Sequence, residues 1–117
     1  MVVSKSDDGG HTFEAHVIED SASIGRPDIA FLSDGSWIVV SLSETNDNVE
    51  LIARRFHTDG TPAERTAIAT LSNDRSNGFP RIVSSSMGTF VTWTSSDEPA
   101  GIRVARVDVV ERSGPSK

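Results

Sequence analysis

The chain has 117 residues, no cysteine, 36% hydrophobic residues and a formal net charge of −6. This length fits one small domain, and the missing cysteines exclude a disulfide framework, a zinc–thiolate site and a thiol nucleophile. The acidic balance argues against a nucleic-acid partner, no apolar run reaches the roughly 18 residues of a membrane-spanning helix, and residues 1–5 lack the apolar core of a secretory signal.

Residue preference favours strands along the whole chain. Val and Ile outnumber Leu about five to one, and Gly or Pro interrupts nearly every stretch long enough for an amphipathic helix. The sequence therefore predicts an all-β protein. In chain order, the apolar segments that predict the first six strands are residues 1–5, 13–18, 27–32, 37–42, 49–57 and 65–71.

Two Asp-Gly pairs mark hairpins between these strands. Asp34-Gly35 lies between apolar runs and predicts a type I′ turn, in which both central residues need positive φ. Asp59-Gly60 ends the strand predicted at 49–57. The strand between the two turns, at 37–42, is apolar almost without interruption, which predicts that both of its faces are buried.

The chain also repeats itself. Residues 25–29 (Gly-Arg-Pro-Asp-Ile) align with residues 78–82 (Gly-Phe-Pro-Arg-Ile) at an offset of 53 residues. The same offset places Gly35 on Gly88, Trp37 on Phe90 and Val39 on Thr92. Residues 52–56 resemble residues 103–107, with two residues deleted from the intervening loop. A period near 50 residues with four short strands per unit is typical of β-propeller blades, and a β-sandwich is the alternative.

The first turn carries a recognisable motif. Ser6, Asp8, Gly10, Thr12 and Phe13 match, position for position, the Asp-box Ser/Thr-x-Asp-x-Gly-x-Thr-Trp/Phe of the bacterial neuraminidase repeat. The sequence therefore resembles the sialidase-like β-propeller superfamily. We expect Asp8 to accept backbone N–H bonds, Gly10 to supply a positive φ, the two hydroxyls to satisfy the remaining polar groups and Phe13 to be buried as a plug. In that family the turn is structural and joins the third and fourth strands of a blade.

The resemblance implies a partial propeller of nine strands in about two four-stranded antiparallel blades. Residues 1–20 then form the last strands of one blade, 25–72 a complete blade and 78–110 the strands of a further blade, with the last strand at 102–110, before a polar tail at 111–117. Two blades do not close a ring. We therefore expect a segment of a longer protein. The alternative is self-assembly, in which the N-terminal strands of one copy complete the last blade of the next; a redundant third strand counts against it.

The same resemblance frames the expected function. Sialidases of this superfamily use a tyrosine nucleophile with a glutamate, an aspartate acid/base and three arginines, whereas this chain has no tyrosine. The family's Phe/Tyr-Arg-Ile-Pro motif is also missing. We therefore expect no catalytic residues and no cofactor, and a role as scaffold or as a module recognising a glycan or protein. The alternative is a fragment of an exo-sialidase or other glycoside hydrolase whose catalytic residues lie outside this chain. The resemblance implies a secreted or cell-surface bacterial parent protein.

Three charged residues are candidates for ligand contact. Arg26, Asp28 and Arg81 belong to first strands, which line the central channel of a propeller. The alternative is that Asp28 and Arg81 pair with each other or with neighbouring blades.

Other polar groups suggest weaker candidates. The carboxylates Glu14, Glu19 and Asp20 could serve glycoside chemistry, but solvated surface positions are the simpler interpretation. The three histidines at 11, 16 and 57 lack metal-ligand spacing, and the oxygen-rich segments 7–10 and 46–48 do not fit a 12-residue EF-hand loop.

Overall fold

The computed structural model describes residues 2–17, 23–44, 47–72, 78–96 and 99–108. The all-β prediction is confirmed, since these residues form nine strands and no helix. The strands are β1 (Val2–Lys5), β2 (Glu14–Val17), β3 (Ser23–Phe31), β4 (Trp37–Glu44), β5 (Asn48–Phe56), β6 (Pro62–Ser72), β7 (Gly78–Ser85), β8 (Gly88–Ser95) and β9 (Gly101–Val107). Of the last predicted strand, residues 109 and 110 lie outside the described residues.

The strands form three antiparallel sheets in chain order. The first sheet pairs β1 with β2, the central sheet has the order β3-β4-β5-β6, and the last sheet has the order β7-β8-β9. Every pairing joins strands that are consecutive in sequence, so each sheet is a meander built from local hairpins. No helix of the described residues is long and apolar enough to cross a membrane.

The central sheet is covered on both faces. Its front face carries Trp37, Val39 and Phe56, which pack with Val3 of the first sheet. Its back face carries alternate residues of the same strands, and these share a core with the last sheet. The buried members of that core are Ile38, Val40, Leu42, Val49, Leu51, Ala53, Leu71, Ile82, Val91 and Trp93. The prediction that β4 is buried on both faces is therefore confirmed, as residues 37–43 are all buried.

The two Asp-Gly hairpins have a different geometry from the type I′ turn expected at Asp34-Gly35. Gly35 has φ +87°, and Asp34 is not in the left-handed region. The Leu32 N–H donates to the Ser36 carbonyl at 2.8 Å, and the Gly35 N–H donates to the Leu32 carbonyl at 3.0 Å. This is a three-residue loop in which one glycine takes the positive φ, so Asp34 does not have to adopt it. The loop at residues 57–61 repeats the pattern.

The strand register contains the repeat that the sequence predicts, but the offset between the second strands is not 53 residues. Ile29 pairs with Val39 in the central sheet, and Ile82 pairs with Val91 in the last sheet. Val39 therefore corresponds to Val91, an offset of 52, and not to Thr92. The reason is that the β7–β8 loop has two residues, between paired Ser85 and Gly88, and the β3–β4 loop has three.

Side chains alternate between the two faces of a strand. The one-residue difference therefore places each residue of β8 on the face opposite to the one that an offset of 53 predicts. Trp37 accordingly corresponds to Thr89, not Phe90, and Ser36 rather than Gly35 corresponds to Gly88. In the third strands the predicted equivalence holds, since Val39 pairs with Arg54 and Val91 pairs with Ala105, an offset of 51.

The Gly-x-Pro segments of β3 and β7 both break the register of their strands. β3 loses register with β4 between Ile24 and Asp28, and β7 loses register with β8 between Gly78 and Arg81. In β7, Gly78 has φ +109° and Phe79 has φ +53°, a conformation rare for a side chain of that size. Pro80 has no N–H to donate to the ladder, which explains why the irregularity falls there.

Candidate functional site

The Asp-box turn, residues 6–12, is organised around one carboxylate. Asp8 Oδ1 accepts the backbone N–H groups of His11 at 3.0 Å and Thr12 at 2.9 Å, and Oδ2 accepts the Thr12 hydroxyl at 2.6 Å. The Ser6 hydroxyl donates to Asp8 Oδ1 at 2.9 Å and accepts the Gly10 N–H at 2.8 Å. These bonds satisfy the turn from within and give it a structural role.

Phe13 departs from the expectation for this motif. Its side chain is 63% exposed, so it is not the buried plug that the resemblance implies. The side chains of the first sheet that contact the central sheet include instead Val3 of β1 and His16 of β2. The two-stranded first sheet offers Phe13 no covering element among the described residues, and burial of a large ring needs such a partner.

The hydrogen bonds lower the pKa of Asp8 to about 2, led by those from the Thr12 hydroxyl and backbone and the Ser6 hydroxyl. The folded-state pKa lies below the ordinary value, so the contribution of Asp8 to stability is present above about pH 4 and is lost as pH falls towards 2. We expect Asp8→Asn to flatten the pH dependence of the unfolding free energy between these values, measured by urea denaturation at successive pH.

Asp7→Asn is the matched control, because the Asp7 side chain is 85% exposed and accepts none of these turn hydrogen bonds. An Asp8→Asn variant whose stability fell with acid as steeply as that of the parent chain would contradict the assignment.

The second turn is a reduced version of the first. Asp59 Oδ1 accepts the Thr61 N–H at 2.9 Å and the Thr61 hydroxyl at 2.7 Å, and these bonds lower the pKa of Asp59. This turn also contacts the first sheet, because the Lys5 ammonium donates to the Thr58 carbonyl at 3.1 Å. A Cβ added at Gly60 would lie 2.5 Å from the His16 ring. The glycine therefore permits the close approach of the first and central sheets.

The structure brings two of the three ligand candidates together. Arg81 Nε lies 3.4 Å from Asp28 Oδ2, and the same oxygen accepts the Ile82 N–H at 2.9 Å. Asp28 thus links β3 and β7, the first strands of two successive sheets, and this pairing is the alternative to ligand contact. Arg26 lies on the exposed surface of β3. The Arg81 side chain is also largely exposed, so its charge remains accessible.

A buried arginine of the central sheet is not among the residues that the sequence singled out. Arg55 is buried on β5, with Nη2 at 3.1 Å from Asp34 Oδ2 and Nη1 at 3.4 Å from Glu64 Oε1. Its Nε has no hydrogen-bond partner among the described residues. The available signal was an arginine in a largely apolar strand, but its acidic partners lie on other elements: Glu64 on β6, nine residues away, and Asp34 in the β3–β4 turn, 21 residues away. The arrangement ties the β3–β4 hairpin to β5 and β6.

The remaining polar candidates do not converge on a site. Glu14 lies 3.2 Å from His16 Nε2, while Glu19 and Asp20 lie outside the described residues, as does Asn46 of the segment 46–48. Within the described part of the chain, no group of three His, Asp or Glu side chains is arranged to hold a metal ion.

Comparison with known proteins finds no matching family model, no similar curated protein and no similar solved structure.

Proposed function

We propose that this chain is a non-catalytic segment of a sialidase-like β-propeller that serves as a scaffold or as a recognition module for a glycan or protein. The observation that carries the proposal is the central sheet, which packs on the preceding sheet by one face and on the following sheet by the other. Serial stacking of four-stranded meanders in chain order is how a propeller is built, whereas a β-sandwich has only two sheets.

The local chemistry supports a structural role. The Asp8 and Asp59 carboxylates are occupied by hydrogen bonds within their own turns, and Asp28 is occupied by contacts to β7. A carboxylate that accepts hydrogen bonds from backbone N–H groups holds that backbone in place. Asp8 and Asp59 therefore stabilise their turns, and Asp28 stabilises the contact between β3 and β7.

A second candidate function is part of a glycoside hydrolase completed by residues outside this chain. The observation that favours it is the contact between Asp28 and the exposed Arg81 on the first strands of two successive sheets, with Arg26 exposed on β3 two residues before Asp28. Guanidinium groups bind carboxylates in bidentate geometry, as an acidic sugar requires. The same charged residues would also suit a recognition module. A measurement of sialoside hydrolysis therefore distinguishes the hydrolase from the recognition module.

We expect the purified chain to release no fluorophore from a 4-methylumbelliferyl sialoside above the buffer rate. The chain contains no tyrosine, the nucleophile that its resemblance would require. On a glycan array, any binding to acidic glycans should be lost in Arg81→Ala and retained in Arg65→Ala, which removes an exposed arginine from β6. An array without hits leaves the scaffold role, and hydrolysis by the parent chain that Arg81→Ala abolishes would contradict the proposal.

A further inference from the structure

A cleft of about 370 Å³ lies between the β3–β4 turn of the central sheet and the β7–β8 turn of the last sheet. Leu32 and Val107 line it and also pack against the core that the two sheets share. Its other lining residues are Ser33, Asp34, Ser84, Ser85, Gly88, Thr89, Arg106 and Asp108. Ligand pockets in proteins span about 300 to 1,000 Å³, so the cleft has the size of a small-molecule site.

Arg106 presents a partly unused guanidinium to this cleft. Its Nε lies 3.1 Å from Asp108 Oδ1, and no described residue accepts a hydrogen bond from its two Nη groups. Gly88 lets the arginine lie close to β8, because a Cβ added there would be 3.3 Å from Arg106 Nε. The N–H groups of a guanidinium have a fixed fork geometry. Arg106 therefore offers its remaining donors to the cleft in one defined orientation.

The equivalent arginine of the central sheet has no such unused Nη groups. By strand register Arg106 corresponds to Arg55. The Nη groups of Arg55 contact Asp34 and Glu64, and its side chain is buried. Residues 86 and 87 of the β7–β8 turn are Ser and Met, so this turn supplies no carboxylate equivalent to Asp34. Arg106 is thus the member of the repeated pair whose Nη groups remain available for a ligand.

Hydroxyl groups line the rest of the cleft. The Ser84 and Thr89 hydroxyl oxygens lie 3.0 Å apart, and only one of the two O–H groups donates in that contact. Thr89 is buried, which holds this pair in place. The Ser85 hydroxyl accepts the Met87 N–H at 3.2 Å and keeps its own proton for a further bond. The cleft therefore presents both O–H donors and oxygen acceptors.

The charges beside the cleft are balanced. Asp108 pairs with Arg106, and Asp34 pairs with Arg55. A phosphate or sulfate would meet two carboxylates as well as Arg106, so repulsion would offset the attraction. A metal ion would find no suitable group of three His, Asp or Glu side chains in the part of the chain that the structure describes. The chemistry that suits the cleft is hydrogen bonding to an uncharged molecule.

We infer that the cleft is a binding site for a neutral saccharide, separate from Arg26, Asp28 and Arg81. Each sugar hydroxyl both donates and accepts hydrogen bonds, which suits the Nη donors of Arg106, the Oδ2 atom of Asp108 and the serine and threonine hydroxyls. The inference names a ligand class for the recognition role, and in that respect it rests on the proposed function.

The test is a titration of the isotopically labelled chain with lactose, maltotriose, cellotriose and mannotriose, followed by NMR of its backbone amides. At least one of these saccharides should shift the amides of Ser33, Gly88 and Val107 in a saturable way. Arg106→Ala should weaken this binding at least about tenfold by removing donors, and Ser33→Trp should do the same by filling the cleft. Both residues are exposed, so neither change should alter the Tm. Arg65→Ala removes an exposed arginine outside the cleft and should bind as the parent chain does.

The inference would be overturned if no saccharide gave a saturable shift, if the shifts lay outside the cleft, or if Arg106→Ala bound like the parent chain. Inorganic sulfate is the competing probe, and sulfate that shifted the cleft amides where the saccharides did not would also overturn it. The proposed function is tested separately, by sialoside hydrolysis and by the effect of Arg81→Ala on acidic glycans. Arg81 does not line the cleft, so Arg81→Ala should leave the binding of the neutral saccharide unchanged.

Discussion

Replacement of Trp37 by alanine is expected to lower the free energy of unfolding by about 3 to 5 kcal/mol. Trp37 is 1% exposed and stacks on Phe56, with ring centroids 4.4 Å apart and planes inclined by 16°. The His16 ring lies 5.7 Å from it on the side of the first sheet. Truncation would leave a cavity where these two sheets meet, and urea denaturation followed by circular dichroism measures the loss.

Phe13→Ala is the control for this prediction. Phe13 is the aromatic residue that the motif assigns to a buried position, yet its ring is largely exposed. Phe13→Ala should lower the free energy of unfolding by less than about 1 kcal/mol, since folding buries little of the apolar surface of this ring. Similar losses for the two variants would mean that Phe13 is buried in solution and that Trp37 does not dominate the contact between the sheets.

Local features of the fold were predictable from the sequence. The Asp-box turn closes within seven residues, so the spacing of Ser6, Asp8 and Thr12 contains the whole geometry of its hydrogen bonds. The same holds for the burial of β4, because a nearly continuous apolar run leaves no side suited to solvent. Each of these predictions needs only residues that are neighbours in the chain.

Features that depend on distant partners were not predictable in the same way. The exposure of Phe13 depends on what the neighbouring sheet places over it, and the burial of Arg55 depends on acidic residues from two other elements. The pairing of Asp28 with Arg81 was one of two alternatives, and only the packing of β3 on β7 decides between them. The offset of 53 holds between β3 and β7 but is one residue too long between β4 and β8, because the β7–β8 loop is one residue shorter than the β3–β4 loop.

That one-residue difference places Val91, and not Thr92, in the core between the central and last sheets. Val91→Asp should lower the free energy of unfolding by more than about 4 kcal/mol, because it buries an unpaired carboxylate. Val91 is 0% exposed and belongs to the core between the central and last sheets. Small domains have a total stability of about 5 to 15 kcal/mol, so the variant should be largely unfolded or lose the packing of its last sheet. Urea denaturation and the fluorescence of the neighbouring Trp93 report the two outcomes.

Thr92→Asp is the matched variant one residue along β8. Thr92 is only half-buried and faces the open side of the last sheet, where a carboxylate remains hydrated. Thr92→Asp should lower the free energy of unfolding by less than about 1 kcal/mol. The sequence offset of 53 would place Thr92 in the core at the position equivalent to Val39, and the strand register places Val91 there. A larger loss from Thr92→Asp than from Val91→Asp would therefore mean that β8 pairs one residue out of the register described, with its two faces exchanged.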